Sequence, residues 1–209
     1  MVVTLKKFII TTVDKKAPGP PTTFTPFHIY CALELLSQGA IGRNRLANKI
    51  GVGDGTIRTI INRLKNAELI LNTKEGCTLT DKGQEVWQQF EQIFPQRAEI
   101  PKTEITPSEY NYGFMAKGQG DKIESGIDQR DAAIIAGAKR AIVLIAKQGN
   151  LHVASVNQCI EKEYTSATKE IRKKINPQND NDVIIIAGAQ TLLKAKTGAF
   201  AAAWTLLDL

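Results

Sequence analysis

The chain has 209 residues, 43% of them hydrophobic, which suits one large domain or two small ones with a real core and excludes a disordered polypeptide. The net charge of +6 is unevenly spread: residues 1–97 carry 13 Lys and Arg against 8 Asp and Glu, whereas residues 98–209 carry 14 against 13. A polyanionic partner is therefore expected for the first part and a nearly neutral domain behind it. Cys31, Cys77 and Cys159 are widely spaced and form no CxxC pair, so neither a disulfide framework nor a zinc site is expected, and a reducing cytoplasm fits.

Val2 to Val13 is mildly apolar but carries Lys6 and Lys7 and breaks at Thr11 and Thr12. It reads as a strand or pairing arm, not as a signal peptide or membrane helix. Asp14 to Thr23, with Pro18, Pro20 and Pro21, reads as a stiff linker, so residues 1–24 form an arm.

Residues 25–97 carry a winged helix-turn-helix pattern. Thr25-Pro26 opens a helix holding His28, Ile29, Leu33 and Leu36, and Gly39 stops it. A second helix over Arg43 to Ile50 faces Leu46, Ala47 and Ile50 inward, and Gly51-Val52-Gly53 turns the chain back. In a third, over Asp54 to Asn66, Ile57, Ile60, Ile61 and Leu64 make one buried stripe. Its other face offers Thr56, Arg58, Thr59, Asn62, Arg63 and Lys65, with no carboxylate after Thr56 until Glu68. Arg can pair with guanine and Asn with adenine, while Thr and Lys reach phosphates, so this face suits a major groove. Glu68 to Thr73 and Gly76 to Leu79 read as a hairpin with Lys74 at its tip, positioned to touch the DNA backbone or minor groove. Thr80-Asp81 then caps a fourth helix with Val86, Trp87, Phe90, Ile93 and Phe94.

Residues 98–209 read as a small mixed-sheet α/β domain, making the whole chain α+β. Phe94-Pro95 to Thr106-Pro107 reads as a linker, Tyr110 to Ala116 as a strand, and Asp128 to Ala138 as a helix with Ala132, Ile135 and Ala136 inward. Ala141 to Ala146 and Leu151 to Ser155, the latter carrying His152, form a hairpin. Ile160, Tyr164, Ala167, Ile171 and Ile175 step along one helix face, Val183 to Ile186 is a buried strand, and an Ala-rich helix over Thr191 to Leu207 closes the chain. Two candidate effector-binding features stand out. Ile186-Ala187-Gly188-Ala189 reads as a strand-to-helix turn whose N–H groups could hold an anion around Gly188, and Arg130-Asp131 sits in the first turn of an otherwise apolar helix. Each also has a plain reading, as a tight turn and as a cap with a salt bridge. No GxGxxG or P-loop is present, and the sequence assigns no catalytic residue, metal or cofactor.

The stretches Ile41-Gly42-Arg43, Leu46-Ala47, Gly53 to Thr59 and Gly76 to Gly83 resemble winged-helix transcription regulators. The resemblance is nearest to an archaeal family whose C-terminal domain is of unknown function, and it runs from Phe24 to the C-terminus. It implies that the third helix is the recognition helix, supplies no catalytic residues, and takes Arg130-Asp131-Ala132-Ala133-Ile134 as a mark of the second domain.

The expected function is a cytoplasmic DNA-binding transcription regulator, a homodimer with double-stranded DNA as partner, no membrane, and a second domain that dimerises, senses a small molecule, or both. Its DNA contacts would be Arg43, Arg45, Thr56, Arg58, Thr59, Asn62, Lys65 and Lys74. Two alternatives stay open: a winged-helix adaptor that binds protein, and an enzyme domain fused to a DNA-binding module. Trp87, Phe90, Phe94 and the last helix could each be dimer surface or internal core.

Overall fold

The computed structural model describes residues 4–14, 23–154 and 158–208. The proline linker reading over 15–22, Val2 and Ser155 thus lie outside the described residues. The chain divides after Phe90 into two compact units, with Asp208 counted in the first.

The first unit opens with α1 (Leu5–Val13), where a strand or pairing arm was expected. Its run of β-branched residues favours a strand locally, but the Thr4 hydroxyl accepts from Lys7 N and caps a helix, and Ile9 and Val13 are buried one turn apart. The helix packs on α2 (Pro26–Ser37) and α4 (Asp54–Asn66), so tertiary burial overrides propensity. α2 begins as read, with Pro26 at its first position, and the Thr25 N–H donates to His28 Nδ1 at 3.0 Å. Tyr30 of α2 packs against Trp87 and Phe90 with ring centroids 5.6 and 5.4 Å away, so both rings are internal core.

α3 (Arg43–Ile50) ends at Gly51 in the left-handed conformation, φ 80°, and α4 follows after Val52 and Gly53. Ile57, Ile60 and Leu64 are fully buried and Ile61 nearly so, which fixes the rotation of α4 about its own axis. Burial of each such side chain favours folding by about 1.5–3 kcal/mol before chain entropy is subtracted.

The wing is β1 (Ile70–Thr73) paired antiparallel with β2 (Gly76–Leu79), and Ile41 adds a bridge to Cys77. Gly76, at φ 134°, is required there, because a Cβ would lie 2.6 Å from the Ile41 carbonyl oxygen. α5 (Asp81–Ile93) is locked to the wing by the Thr80-Asp81-Lys82-Gly83 stretch. The Thr80 hydroxyl donates to the Glu68 carbonyl at 2.6 Å and accepts from Gly83 N at 3.0 Å, and Lys82 pairs with Glu68 at 3.1 Å. Gly83 comes so close that a Cβ would lie 2.1 Å from the Leu69 carbonyl oxygen.

The second unit is one six-stranded sheet, with every pairing antiparallel where a mixed sheet was expected. Its strands are β3 (Gln96–Ile100), β4 (Tyr110–Ala116), β5 (Arg140–Lys147), β6 (Asn150–Val153), β7 (Gln158–Cys159) and β8 (Val183–Ala189), in spatial order β3-β4-β8-β5-β6-β7. β3 replaces part of the expected linker. Pro95 and Pro101 flank this strand rather than interrupt it, so its N–H groups stay available to pair Gln96 with Met115 through Ile100 with Asn111.

α6 (Ile127–Ile135) and α9 (Leu192–Trp204) pack together and cover one face of the sheet, with Gly198 close to Ala133 and Ala138. The inward positions of α6 are Gln129 and Ala133, not Ala132, Ile135 and Ala136; Ile135 is 88% exposed. The Gln129 amide explains the rotation, because it donates to Thr205 Oγ1 at 2.9 Å beneath the helix. On the opposite face, Ile160, Ile171 and Ile175 join Met115, Leu144, Ile184 and Ile186 in one cluster. The single helix expected there is broken at Tyr164 into α7 (Ile160–Glu163) and α8 (Thr165–Lys174).

Replacing Gly83 with Ala should lower stability by about 1–3 kcal/mol, because the new methyl meets backbone that cannot swing aside; thermal unfolding of G83A against wild type measures it, and an unchanged melting temperature would refute the clamp. Burial holds the His28 imidazole below its ordinary value of 6.5. The unfolded chain therefore takes up the proton first. The stability gained from neutral His28 is fully present above pH 6.5 and is lost as pH falls through the folded value. In His28→Gln, whose amide oxygen can accept from Thr25 N without titrating, the acid-induced fall in melting temperature should be smaller than in wild type.

Candidate nucleic-acid interface

Because the stripe of Ile57, Ile60, Ile61 and Leu64 faces inward, the opposite side of α4 presents Arg58, Thr59 and Asn62 to solvent, with Lys65 half-buried at its margin. The wing places β1 and β2 beside this face. Between them lies a cleft of about 370 Å³ bounded by Arg43, Arg58, Asn62, Lys65, Asn72 and Cys77, with Ile61 at its floor. Four of the eight expected DNA-contact residues thus meet in one place. Arg45 is exposed on α3, Lys74 is exposed at the turn of the wing, and Thr56 and Thr59 lie on α4 outside the cleft.

Hydrogen bonding constrains several of these groups. The Thr59 hydroxyl donates back to the Gly55 carbonyl at 3.0 Å, and the Thr56 hydroxyl pairs with that of Thr23 at 2.9 Å, so both are engaged in the free protein. Asp54 at the start of α4 pairs with Arg58 at 2.7 Å, one turn on, and with Arg43 at 3.4 Å. The outward face is therefore not free of carboxylate, as its composition after Thr56 suggested. The pairs are half-exposed and worth at most about 1 kcal/mol each, so either guanidinium can exchange Asp54 for a phosphate or a base edge.

Asn72 and Cys77 were missed in the sequence because they lie on the wing strands, at positions that bring no charge. The Cys77 thiol donates to Asn72 Oδ1 at 3.3 Å. Burial pushes the Cys77 thiol up while the Lys65 ammonium draws it down, and burial is the larger effect, so the thiol keeps its proton. That bond occupies the Asn72 oxygen and leaves its amide nitrogen as a donor on a residue that lines the cleft.

In the second unit, Arg130 and Gly188 line one cleft of about 430 Å³, whereas Asp131 stands outside it and pairs with the Arg130 guanidinium at 3.0 Å. Gly188 is not at a strand-to-helix turn. It lies inside β8, opposite Asn111 of β4 and Arg140 of β5, and the following helix begins only at Leu192, capped by Thr191. Its N–H belongs to the strand, so the expected anion-holding turn does not exist. Arg130 also begins one turn into α6, whose acidic first-turn residue is Asp128.

Residues 28–94 match the family model described as the CggR N-terminal DNA binding domain, and residues 107–206 match that of a domain of unknown function, DUF4443. The two matches follow one another along the chain, a DNA-binding domain first and a domain of unknown function behind it. A solved structure, a hypothetical protein from Pyrococcus horikoshii OT3, is 24% identical to this chain, covers 88% of it and 92% of its own length, and superposes with a TM-score of 0.69. That likeness establishes the fold, and its archaeal source agrees with the resemblance read from the sequence. No curated protein matches the chain. Among the described residues of both domains, no helix is long and apolar enough to cross a membrane and no cluster of His, Cys, Asp or Glu could hold a metal ion.

Asp54 neutralises Arg43 and Arg58, and its carboxylate would repel a phosphate brought to either guanidinium. Asp54→Ala should bind non-specific duplex DNA more tightly, by a few-fold, and with a steeper dependence on salt, since about one further cation becomes free to displace counterions. Fluorescence anisotropy at two salt concentrations checks this; weaker binding by D54A would mean that Asp54 chiefly holds the arginines in place.

Proposed function

We propose that the chain is a sequence-specific, double-stranded-DNA-binding transcription regulator working in the cytoplasm as a homodimer, with the DUF4443 domain receiving a small-molecule effector. The observation that carries the reading is the exposed face of α4, which gathers Arg58, Asn62 and Lys65 beside the wing while its isoleucine and leucine stripe is buried. α4 enters the major groove with Arg58 and Asn62 toward base edges, Thr56, Thr59 and Lys65 toward the groove wall, Arg43 and Arg45 toward phosphates, and Lys74 on the backbone beside the groove.

The homodimer reading draws support from the second unit, where Ile135 of α6 and Leu193 of α9, neither of them lining a cleft, are large apolar side chains left exposed. Two copies joined there would place two recognition helices on one duplex, and the operator would carry two half-sites one helical turn apart. The three cysteines, all free thiols, suit a reducing compartment.

Titration of random duplex DNA with the whole protein at two salt concentrations, followed by selection from the bound pool, tests the reading. Steeply salt-dependent binding with an enriched palindrome is expected. Arg58→Ala should cost about 1–3 kcal/mol and relax the preference at one base position, whereas Lys74→Ala should weaken all sequences alike and lower the salt slope by about one. Absence of binding at low salt would overturn the assignment and move the winged helix to a protein partner.

A further inference from the structure

The cleft of about 430 Å³ in the second unit is assembled from the β3–β4 connection, one end of β8 and β5, and the outer side of α6. Its charge is one-sided. Arg130, Lys139 and Arg140 line it against the single carboxylate of Glu104. Arg130 is shared with Asp131, but neither Lys139 nor Arg140 forms an ion pair among the described residues. The lining thus holds three cations against one carboxylate, and two of those cations, Lys139 and Arg140, are unpaired among the described residues. The floor between the cations is apolar, made by Ile142 and Ile186 of the sheet together with Ile105 and Ile134.

Two polar groups point to a ligand independently of charge. Asn111 is 4% exposed, and its Nδ2 donates to the carbonyls of Thr106 and Ser108, both at 3.0 Å. Its Oδ1 has no partner among the described residues, and no sealed-in side-chain polar atom lacks one, so Oδ1 opens onto the cleft. The Ser108 hydroxyl is likewise unpartnered among the described residues and lies against Gly188, where a Cβ would come within 2.4 Å of Ser108 Oγ and 2.7 Å of Asn111 Oδ1. Gly188 therefore makes room for an amide oxygen and a hydroxyl whose hydrogen bonds are left unused within the chain.

We infer that this cleft binds a small organic dianion with an apolar body, a phosphate monoester or a dicarboxylate. Arg140, Lys139 and Arg130 take the charged head, the Ser108 hydroxyl donates to one of its oxygens, and Ile134, Ile142 and Ile186 cover the apolar part. Asn111 Oδ1 accepts from a hydroxyl or amine on the ligand. The volume falls within the range of ordinary small-molecule sites, and the two unpaired cations, Lys139 and Arg140, match a doubly charged head group. This deepens the reading of the second unit as an effector domain, and rests on it for its purpose.

Isothermal titration of the full chain without DNA tests the site, with phenyl phosphate and phthalate as probes and inorganic phosphate and benzyl alcohol as controls. At least one aromatic dianion should bind, once per chain, about tenfold more tightly than either control, and Arg140→Gln or Lys139→Gln should weaken it about tenfold. Both variants alter exposed side chains, and unchanged melting temperatures separate loss of affinity from loss of fold. Lys169→Gln, an exposed cation on α8 outside the cleft, should bind as wild type does. Preference for phenyl phosphate assigns a phosphate ligand and preference for phthalate a dicarboxylate. Dianions no tighter than the controls, or variants with full affinity, would overturn the cleft while leaving DNA binding untouched; dianion binding in a chain that ignores DNA would overturn the regulator reading and keep the cleft.

Discussion

The rotation of α4 about its own axis is the constraint on which the rest of the DNA-binding domain depends. Four side chains, Ile57, Ile60, Ile61 and Leu64, cannot face water without forfeiting several kcal/mol of burial. They therefore turn Arg58, Thr59 and Asn62 outward whatever these polar residues do themselves. α3, β1 and α1 pack against α4, and the wing is held beside it by close backbone approaches together with side-chain bonds. Gly76 against Ile41, and Gly83 against the Leu69 carbonyl, are positions where any side chain would force the strands and α5 apart. Thr80 completes the arrangement by bonding to both sides of the junction. The cleft between α4 and the wing is the product of these packing decisions, and its chemistry is what remains on their outer side.

That chemistry is held in check by Asp54. A helix N-terminus favours a carboxylate, and here the same carboxylate neutralises Arg43 and Arg58. The free protein thus presents less positive field than its count of cations suggests. A phosphate can displace Asp54 from an arginine with little loss, but a base edge must also match the fork geometry of the guanidinium. An anion that approaches this face must take the place of Asp54 on one of the two arginines before it meets their full charge.

Local chemistry explains which elements were legible in the sequence. The bounds of α3, α4, β2 and β4 agree with the reading because a cap, a glycine or a periodic apolar stripe marks each end within a few residues. The N-terminal segment was misread because Ile9, Ile10, Thr11, Thr12 and Val13 have strand-like side chains, and only burial of Ile9 and Val13 against distant helices makes them helical. β3 hid between prolines because its partner lies beyond an intervening loop, and the all-antiparallel order of the sheet depends on β8, which pairs with strands distant in sequence. Of the candidate DNA contacts, those on α4 followed from periodicity. The partners that limit them, Thr23 for Thr56 and Asp54 for Arg43, could not be read from spacing alone.

Gly188 shows how a residue can be singled out for one geometry and matter through another. Its letters, between a run of isoleucines and an Ala-rich helix, resemble a phosphate-holding turn, yet the strand runs through it. Its missing side chain is used sideways, admitting Asn111 and Ser108 to the surface of β8. Antiparallel pairing then places Arg140 opposite the same glycine, and α6 brings Arg130 to the same cleft. Anion-binding character thus arises at Gly188 from side chains converging across three elements, where the sequence suggested backbone N–H groups from one. The difference has a physical consequence. A backbone nest recognises a phosphate whatever it is attached to, whereas separated cations over an apolar floor favour a ligand whose body fills the space between them.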